Sequence, residues 1–223
     1  MNPYVYVLIL IGIVLQALFI KVEHEEKYLL ADIFKGLASL MFVLVGYNAY
    51  LTTNNISNRQ LLIGLIFGMV GDILLNLRYV FPKQGQKIFL AGILSFLIGH
   101  IMYLVALIPQ ARHLWLFVAI GALVAACLLV YIFKTMEVKK AFKIFGVFYL
   151  GAVFIMCSIA IGIAIFAPSN RSIIFAIGAI LFTASDVVLI FNTFSGVTRF
   201  SLRVTNLSLY YIGQMLIAYS MFL

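Results

Sequence analysis

The chain has 223 residues, of which 65% are hydrophobic and only 10% charged, and its mean hydropathy is +1.17. This composition excludes a soluble domain and leaves room for about eight spanning helices of roughly 20 residues each, with no separate soluble domain. The net charge of +8 is accounted for by membrane topology and anionic lipid headgroups, so no nucleic-acid partner is needed.

The first apolar run, Tyr4 to Ile20, leads into Lys21-Val22-Glu23-His24-Glu25-Glu26-Lys27. It lacks a basic n-region and a small-residue cleavage site, and reads as a retained first helix. The Glu23–Glu26 run reads as a solvated loop. Further spans follow at roughly 29–50, 60–77, 87–107, 113–133, 142–166, 172–194 and 202–222, after a first at 4–20. Turn signals such as Thr52-Thr53-Asn54-Asn55, Phe81-Pro82-Lys83-Gln84-Gly85 and Ala167-Pro168-Ser169-Asn170 separate them. The apolar runs are continuous rather than alternating, which excludes a membrane barrel. The expected architecture is one all-α domain, residues 1–223, a polytopic transmembrane bundle of eight helices. Cys127 and Cys157 fall within apolar spans and read as packed small hydrophobes.

Lys and Arg are distributed unevenly between the connections. Eleven of them (Lys21, Lys27, Arg78, Lys83, Lys87, Lys134, Lys139, Lys140, Lys143, Arg199, Arg203) fall on one side. Three (Arg59, Arg112, Arg171) fall on the other, and Lys35 lies within a span. The basic side is expected to be cytoplasmic, with both termini non-cytoplasmic. Few charges and short loops suit a multi-pass protein of the bacterial inner membrane.

An internal repeat is visible. Gly71-Asp72 and Ser185-Asp186 lie 114 residues apart, as do Ile98-Gly99-His100 and Ile212-Gly213-Gln214, and Lys35 and Tyr149. An offset of four helices preserves direction, so the halves would form a 4+4 parallel repeat about an axis near the membrane normal.

Ionisable residues inside a bilayer are costly and point to function. Lys35, Asp72, His100 and Asp186 are the candidates. Counted from the basic ends of their helices, Lys35, Asp72, Asp186, Tyr149, Asn206 and Tyr210 share a layer roughly 6–12 Å deep, with His100 deeper. Such a layer suggests a polar cavity opening toward the cytoplasm. Phe89, Gly92, Phe96, His100 and Tyr103 form one helical stripe; Gly64, Gly68, Asp72 and Asn76 form another; Asn206, Tyr210 and Gln214 a third. Structural readings stand beside these. Lys35 could snorkel to the headgroups, Asp72 could pair with Arg78 or Lys35, Asp186 could be purely structural, and His100 could be an interhelical hydrogen-bonder. Asn76, Asn206 and Gln214 individually read as packing hydrogen bonds. One histidine within a span excludes a multi-histidine zinc site. No nucleophile elbow or P-loop occurs. An acid–base constellation remains, with neither metal nor cofactor.

These residues resemble the lysoplasmalogenase (YhhN-like) membrane family. The resemblance is carried by Gly71-Asp72, by Phe89-x-x-Gly92-x-x-x-Phe96-x-x-x-His100-x-x-Tyr103, by Gly178-x-x-x-Phe182-x-x-Ser185-Asp186, and by Tyr211-x-x-Gln214. Lys35 matches the family's helix-2 lysine, but Gly36 stands where the family typically has proline. The resemblance implies an eight-helix fold and hydrolysis of the vinyl-ether bond of lysoplasmalogens, with a lysophospholipid substrate and membrane lipids as partners. The products are a fatty aldehyde and a glycerophospho-ethanolamine or -choline.

The residues suit that reaction. Cleavage begins with protonation of the alkene carbon, which needs an acid still protonated near neutral pH, and a carboxyl group removed from water favours its neutral form. A second, ionised carboxylate could stabilise the oxocarbenium ion and orient water. Asp72 and Asp186 are the expected pair, with the two roles open. Lys35 could hold one aspartate ionised, or meet the substrate phosphate with Arg78 nearby. A small-molecule or lipid transporter is the competing reading, which discontinuous helices would favour, glycine-rich helix 3 being the nearest candidate. A non-enzymatic scaffold is a third, disfavoured by the clustered polar layer.

Overall fold

The computed structural model describes residues 3–138, 140–196 and 198–223, so Lys139 of the orientation count lies outside the described residues. Eight α-helices follow in order: α1 (Pro3–His24), α2 (Tyr28–Thr53), α3 (Ile56–Val80), α4 (Gly85–Leu107), α5 (Leu114–Thr135), α6 (Lys140–Phe166), α7 (Asn170–Phe194) and α8 (Phe200–Ser220). Among the described residues, seven are long and apolar enough to cross a membrane. The exception is α8, in which Arg203, Thr205, Asn206 and Gln214 dilute the apolar residues. Several of its polar side chains, Asn206, Tyr210, Tyr211 and Gln214 among them, are buried between helices rather than turned outward. A helix is the economical choice in lipid because every backbone group is satisfied within the segment.

The helices start and stop where local chemistry dictates. Helix α3 begins four residues before the expected 60 because Asn55 caps it, its side chain accepting from the Ser57 N–H at 2.9 Å. Asn58, which reads as part of a polar connection, is instead fully buried, donating to Thr53 Oγ1 (2.6 Å) and the Met221 carbonyl (2.8 Å). Ser169 and Ser172 form a reciprocal cap at the start of α7. The glycine-rich α3 runs unbroken from Ile56 to Val80, so the discontinuity that would favour a carrier does not occur there.

Packing follows a two-fold pattern. Helix α3 lies against α4 and α7 against α8; α2 meets α3 and α6 meets α7; α4 meets α6 and α8 meets α2. Six helices thereby close a ring, α2–α3–α4–α6–α7–α8, while α1 flanks α2 and α5 flanks α6. Each of these pairings has its counterpart four helices on, as the repeat requires. Close backbone crossings repeat too. A Cβ on Gly64 would lie 2.9 Å from the Gly99 carbonyl oxygen, and one on Gly178 would lie 2.8 Å from that of Gly213. Gly178 and Gly213 follow Gly64 and Gly99 by the same 114 residues. Glycine at both crossings lets the backbones touch, the usual means of holding helices together where water supplies no driving force. Gly178→Val should therefore lower stability by about 1–3 kcal/mol, read as earlier thermal unfolding in detergent. A wild-type melting curve would show that the α7–α8 crossing is not tight.

Candidate active site

The ring, together with Leu129, Ile132 and Phe133 of the flanking α5, encloses a cleft of ≈ 1030 Å³, its open mouth included. It lies toward the basic end of the bundle, reaching Val138 in the α5–α6 connection and Phe194 at the end of α7. Asp72 of α3 and Asp186 of α7, equivalent positions of the two halves, both line it. So do Lys35, Tyr149, Asn206 and Tyr210, the residues the depth estimate put in one layer. The rest of the wall is apolar and rich in phenylalanine, including Phe89, Phe96, Phe142 and Phe182.

The two carboxylates have different neighbours. Asp72 faces Lys35, whose Nζ lies 3.3 Å from Oδ1. Its Oδ2 accepts from Ser39 Oγ at 2.6 Å and from Tyr210 OH at 2.5 Å. Tyr211 braces this group, its hydroxyl lying 3.3 Å from Ser39 Oγ and donating to the Lys35 carbonyl at 3.3 Å. Lys35 is only 3% exposed, so it does not snorkel, and Asp72 pairs with it rather than with Arg78. Asp186 is 4% exposed and accepts from Tyr149 OH at 2.7 Å; no cation pairs with it among the described residues. Tyr149 is thus to Asp186 what Lys35 is to Asp72, a neutral donor at the position where the other half has a cation.

The remaining expected residues stand behind this wall. Ser185 donates to the Phe182 carbonyl (2.7 Å), and its own carbonyl accepts from Asn206 Nδ2 (2.8 Å). Tyr103 donates to Gln214 Oε1 at 2.9 Å, tying α4 to α8. His100 donates from Nδ1 to the Phe96 carbonyl within its own helix (2.7 Å), and its Nε2 is buried among the Tyr103, Tyr149 and Phe182 rings without a hydrogen-bond partner among the described residues. It is neither on the cleft wall nor bonded to another helix. Asn76 also misses the cleft: with its amide oriented to suit its surroundings, it donates to Glu23 Oε1 (2.9 Å) and accepts from the Asp32 N–H (3.2 Å). Among the described residues, no group of three His, Cys, Asp or Glu side chains gathers to ligate a metal.

A family model described as the YhhN family matches residues 30–221. The chain belongs to the YhhN family. No curated protein and no solved structure matches it. The motifs that carry the YhhN resemblance converge in three dimensions: Gly71 is pressed against the Phe96 ring, and the Tyr103–Gln214 bond joins two of them.

Four residues of the site were not singled out from the sequence. Asp32 and Ser39 lie three residues before and four after Lys35, on one face of α2, and that spacing was the available signal. Arg203 sits three residues before Asn206 on the buried face of α8 and lines the cleft. Glu23 corrects the reading of its run as a solvated loop. It belongs to the last turn of α1 and accepts from Arg203 Nη2 (2.6 Å) and Nε (2.9 Å), while Glu25 and Glu26 are exposed. A bidentate guanidinium partner 180 residues away leaves no trace in local sequence.

Proposed function

We propose that the protein hydrolyses the vinyl-ether bond of lysoplasmalogen-type lysophospholipids, releasing a fatty aldehyde and a glycerophospho-alcohol. The observation that carries this reading is that Asp72 and Asp186 line one cleft with unlike neighbours. Asp72, beside a buried ammonium and two hydroxyl donors, is the carboxylate that stays ionised. Asp186, beside the Tyr149 phenol and with no cation paired to it among the described residues, is the carboxyl that carries a proton.

The reaction then balances as follows. Asp186 gives its proton to the alkene carbon one removed from the ether oxygen, and the positive charge develops on the carbon bonded to that oxygen. The Asp72 carboxylate stabilises this oxocarbenium ion electrostatically. Water adds to the charged carbon and returns a proton to Asp186, giving a hemiacetal. Transfer of the hemiacetal hydroxyl proton to the glyceryl oxygen, with C–O cleavage, yields aldehyde and alcohol. Lys35 holds Asp72 charged and is not a phosphate ligand in this scheme, because its ammonium is already committed. Tyr149 positions Asp186, and the phenylalanine-rich wall takes the alkenyl chain.

Incubating the purified protein with lysoplasmalogen and trapping aldehyde tests the reading. Stoichiometric release of aldehyde and glycerophospho-alcohol is expected, and no release from the matching 1-O-alkyl lipid, which has no alkene to protonate. Uptake of intact lipid into proteoliposomes without aldehyde would replace this function with transport.

A further inference from the structure

The 114-residue offset exposes a contrast between the halves. The cleft between α4, α6 and α7 is walled by Phe89, Phe142 and Ile190, with open space over Gly146, where an added Cβ would meet nothing within 4 Å. The equivalent positions between α8, α2 and α3 are Arg203, Tyr28, Asn76 and Asp32. One compartment is apolar and open; its twin is polar and filled by its own side chains. The two meet at the aspartate pair, where Lys35 and Arg203 also reach the cleft.

Two features of the polar compartment point to a ligand. First, Arg203 is occupied by Glu23 through two bonds, from Nε and Nη2 to the two carboxylate oxygens, a bidentate mode by which a guanidinium also holds a phosphate. Second, Asp32 is 9% exposed, and its Oδ1 is buried with no hydrogen-bond partner among the described residues. It lies within electrostatic reach of Lys35 and Asp72, but no cation pairs with it among the described residues. A buried carboxylate oxygen left unsatisfied is expensive unless something completes it. Glu23 stands where an anion would bind, and Asp32 lacks the cation it would bind.

We propose that this compartment is the headgroup site, receiving the zwitterionic phospho-amine end of the lysophospholipid. Arg203 takes the phosphate in the place Glu23 holds, and Asp32 takes the cationic amine. The proposal rests on the lipid-hydrolase reading and specifies where the two ends of the substrate lie. The alkenyl chain enters the α4–α6–α7 compartment, the headgroup enters the α8–α2–α3 compartment, and the ether bond is left at the junction beside Asp72 and Asp186. Asp32 and Arg203 are binding residues here and take no part in the proton transfers.

Binding of non-cleavable probes separates this inference from the hydrolytic reading. The full-length protein in detergent is titrated with a 1-O-alkyl lysophosphatidylethanolamine and with the 1-O-alkyl glycerophosphate of equal chain length, which lacks the amine. The wild type should prefer the zwitterion by about tenfold, the value of one charge-assisted hydrogen bond. Asp32→Asn should abolish that preference while still binding the glycerophosphate lipid, which doubles as the folding control, and Asp32→Glu should retain part of it. Glu23→Gln should bind both lipids several-fold more tightly, because the internal competitor for Arg203 is gone; a purely structural Glu23–Arg203 pair predicts weaker or unchanged binding. Inorganic phosphate alone should not displace either lipid, and displacement at equal concentration would make the site a free-anion site. A zwitterion preference that survives in Asp32→Asn, or lipid affinity that does not rise in Glu23→Gln, overturns the proposal whether or not vinyl ethers are cleaved.

Discussion

Replacing Asp186 with asparagine should reduce aldehyde release by at least about a hundredfold while the protein melts close to the wild type. The loss is that of a general acid, which contributes about 10²–10⁴-fold. The fold should tolerate the change because the carboxamide oxygen can still accept from Tyr149 OH, now 2.7 Å from Oδ2. Tyr149→Phe makes the companion measurement. It removes only the group that orients the acid, so it should slow the reaction less than Asp186→Asn while leaving the binding of non-cleavable ether lipids unchanged. Full turnover in Asp186→Asn would end the assignment of this residue as the acid.

The second large effect is on stability. Lys35→Met removes the ammonium from a buried pair and leaves the Asp72 carboxylate to its hydroxyl donors Ser39 and Tyr210. Breaking a buried pair from one side typically costs about 3–5 kcal/mol, a large part of the roughly 5–15 kcal/mol that holds a domain together. The double variant Lys35→Met/Asp72→Asn should recover most of that loss, since no uncompensated charge remains. Neither variant should release aldehyde, because both lack the ionised, correctly held carboxylate. Thermal unfolding of the single and double variants in one detergent gives the comparison; a single variant as stable as the double would mean that the charge of Asp72 is not held by Lys35.

The pair also explains why the chain can tolerate two aspartates in one apolar cleft. Carboxylates taken out of water are costly to ionise, and each needs its own donors. A repeat that places lysine in one half and tyrosine at the same position of the other gives each carboxylate its own partner. Duplication followed by divergence at Lys35 and Tyr149, Asp32 and Gly146, and Phe89 and Arg203 would turn a symmetric bundle into one with unlike ends.

Much of this was legible in the residues themselves. Length and hydropathy determined an all-helical membrane bundle, because a spanning segment needs about 20 apolar residues and permits few alternatives. The 114-residue spacing of Asp72 and Asp186 determined that the two aspartates would occupy equivalent places, and helical periodicity put Gly64, Gly68 and Asp72 on one buried face. Periodicity could not say which of two buried faces borders a cavity. Asn76 shares the stripe of Asp72 yet turns to Glu23, and His100 shares that of Phe96 yet bonds its own helix. Nor could it find Glu23 with Arg203, or show that Lys35 gives its charge to Asp72 rather than to the headgroups. Local sequence fixes the direction a side chain leaves its own helix. Its partner is chosen by how six helices close into a ring, and that choice, made by packing between distant segments, gives Asp72 a lysine and Asp186 a tyrosine.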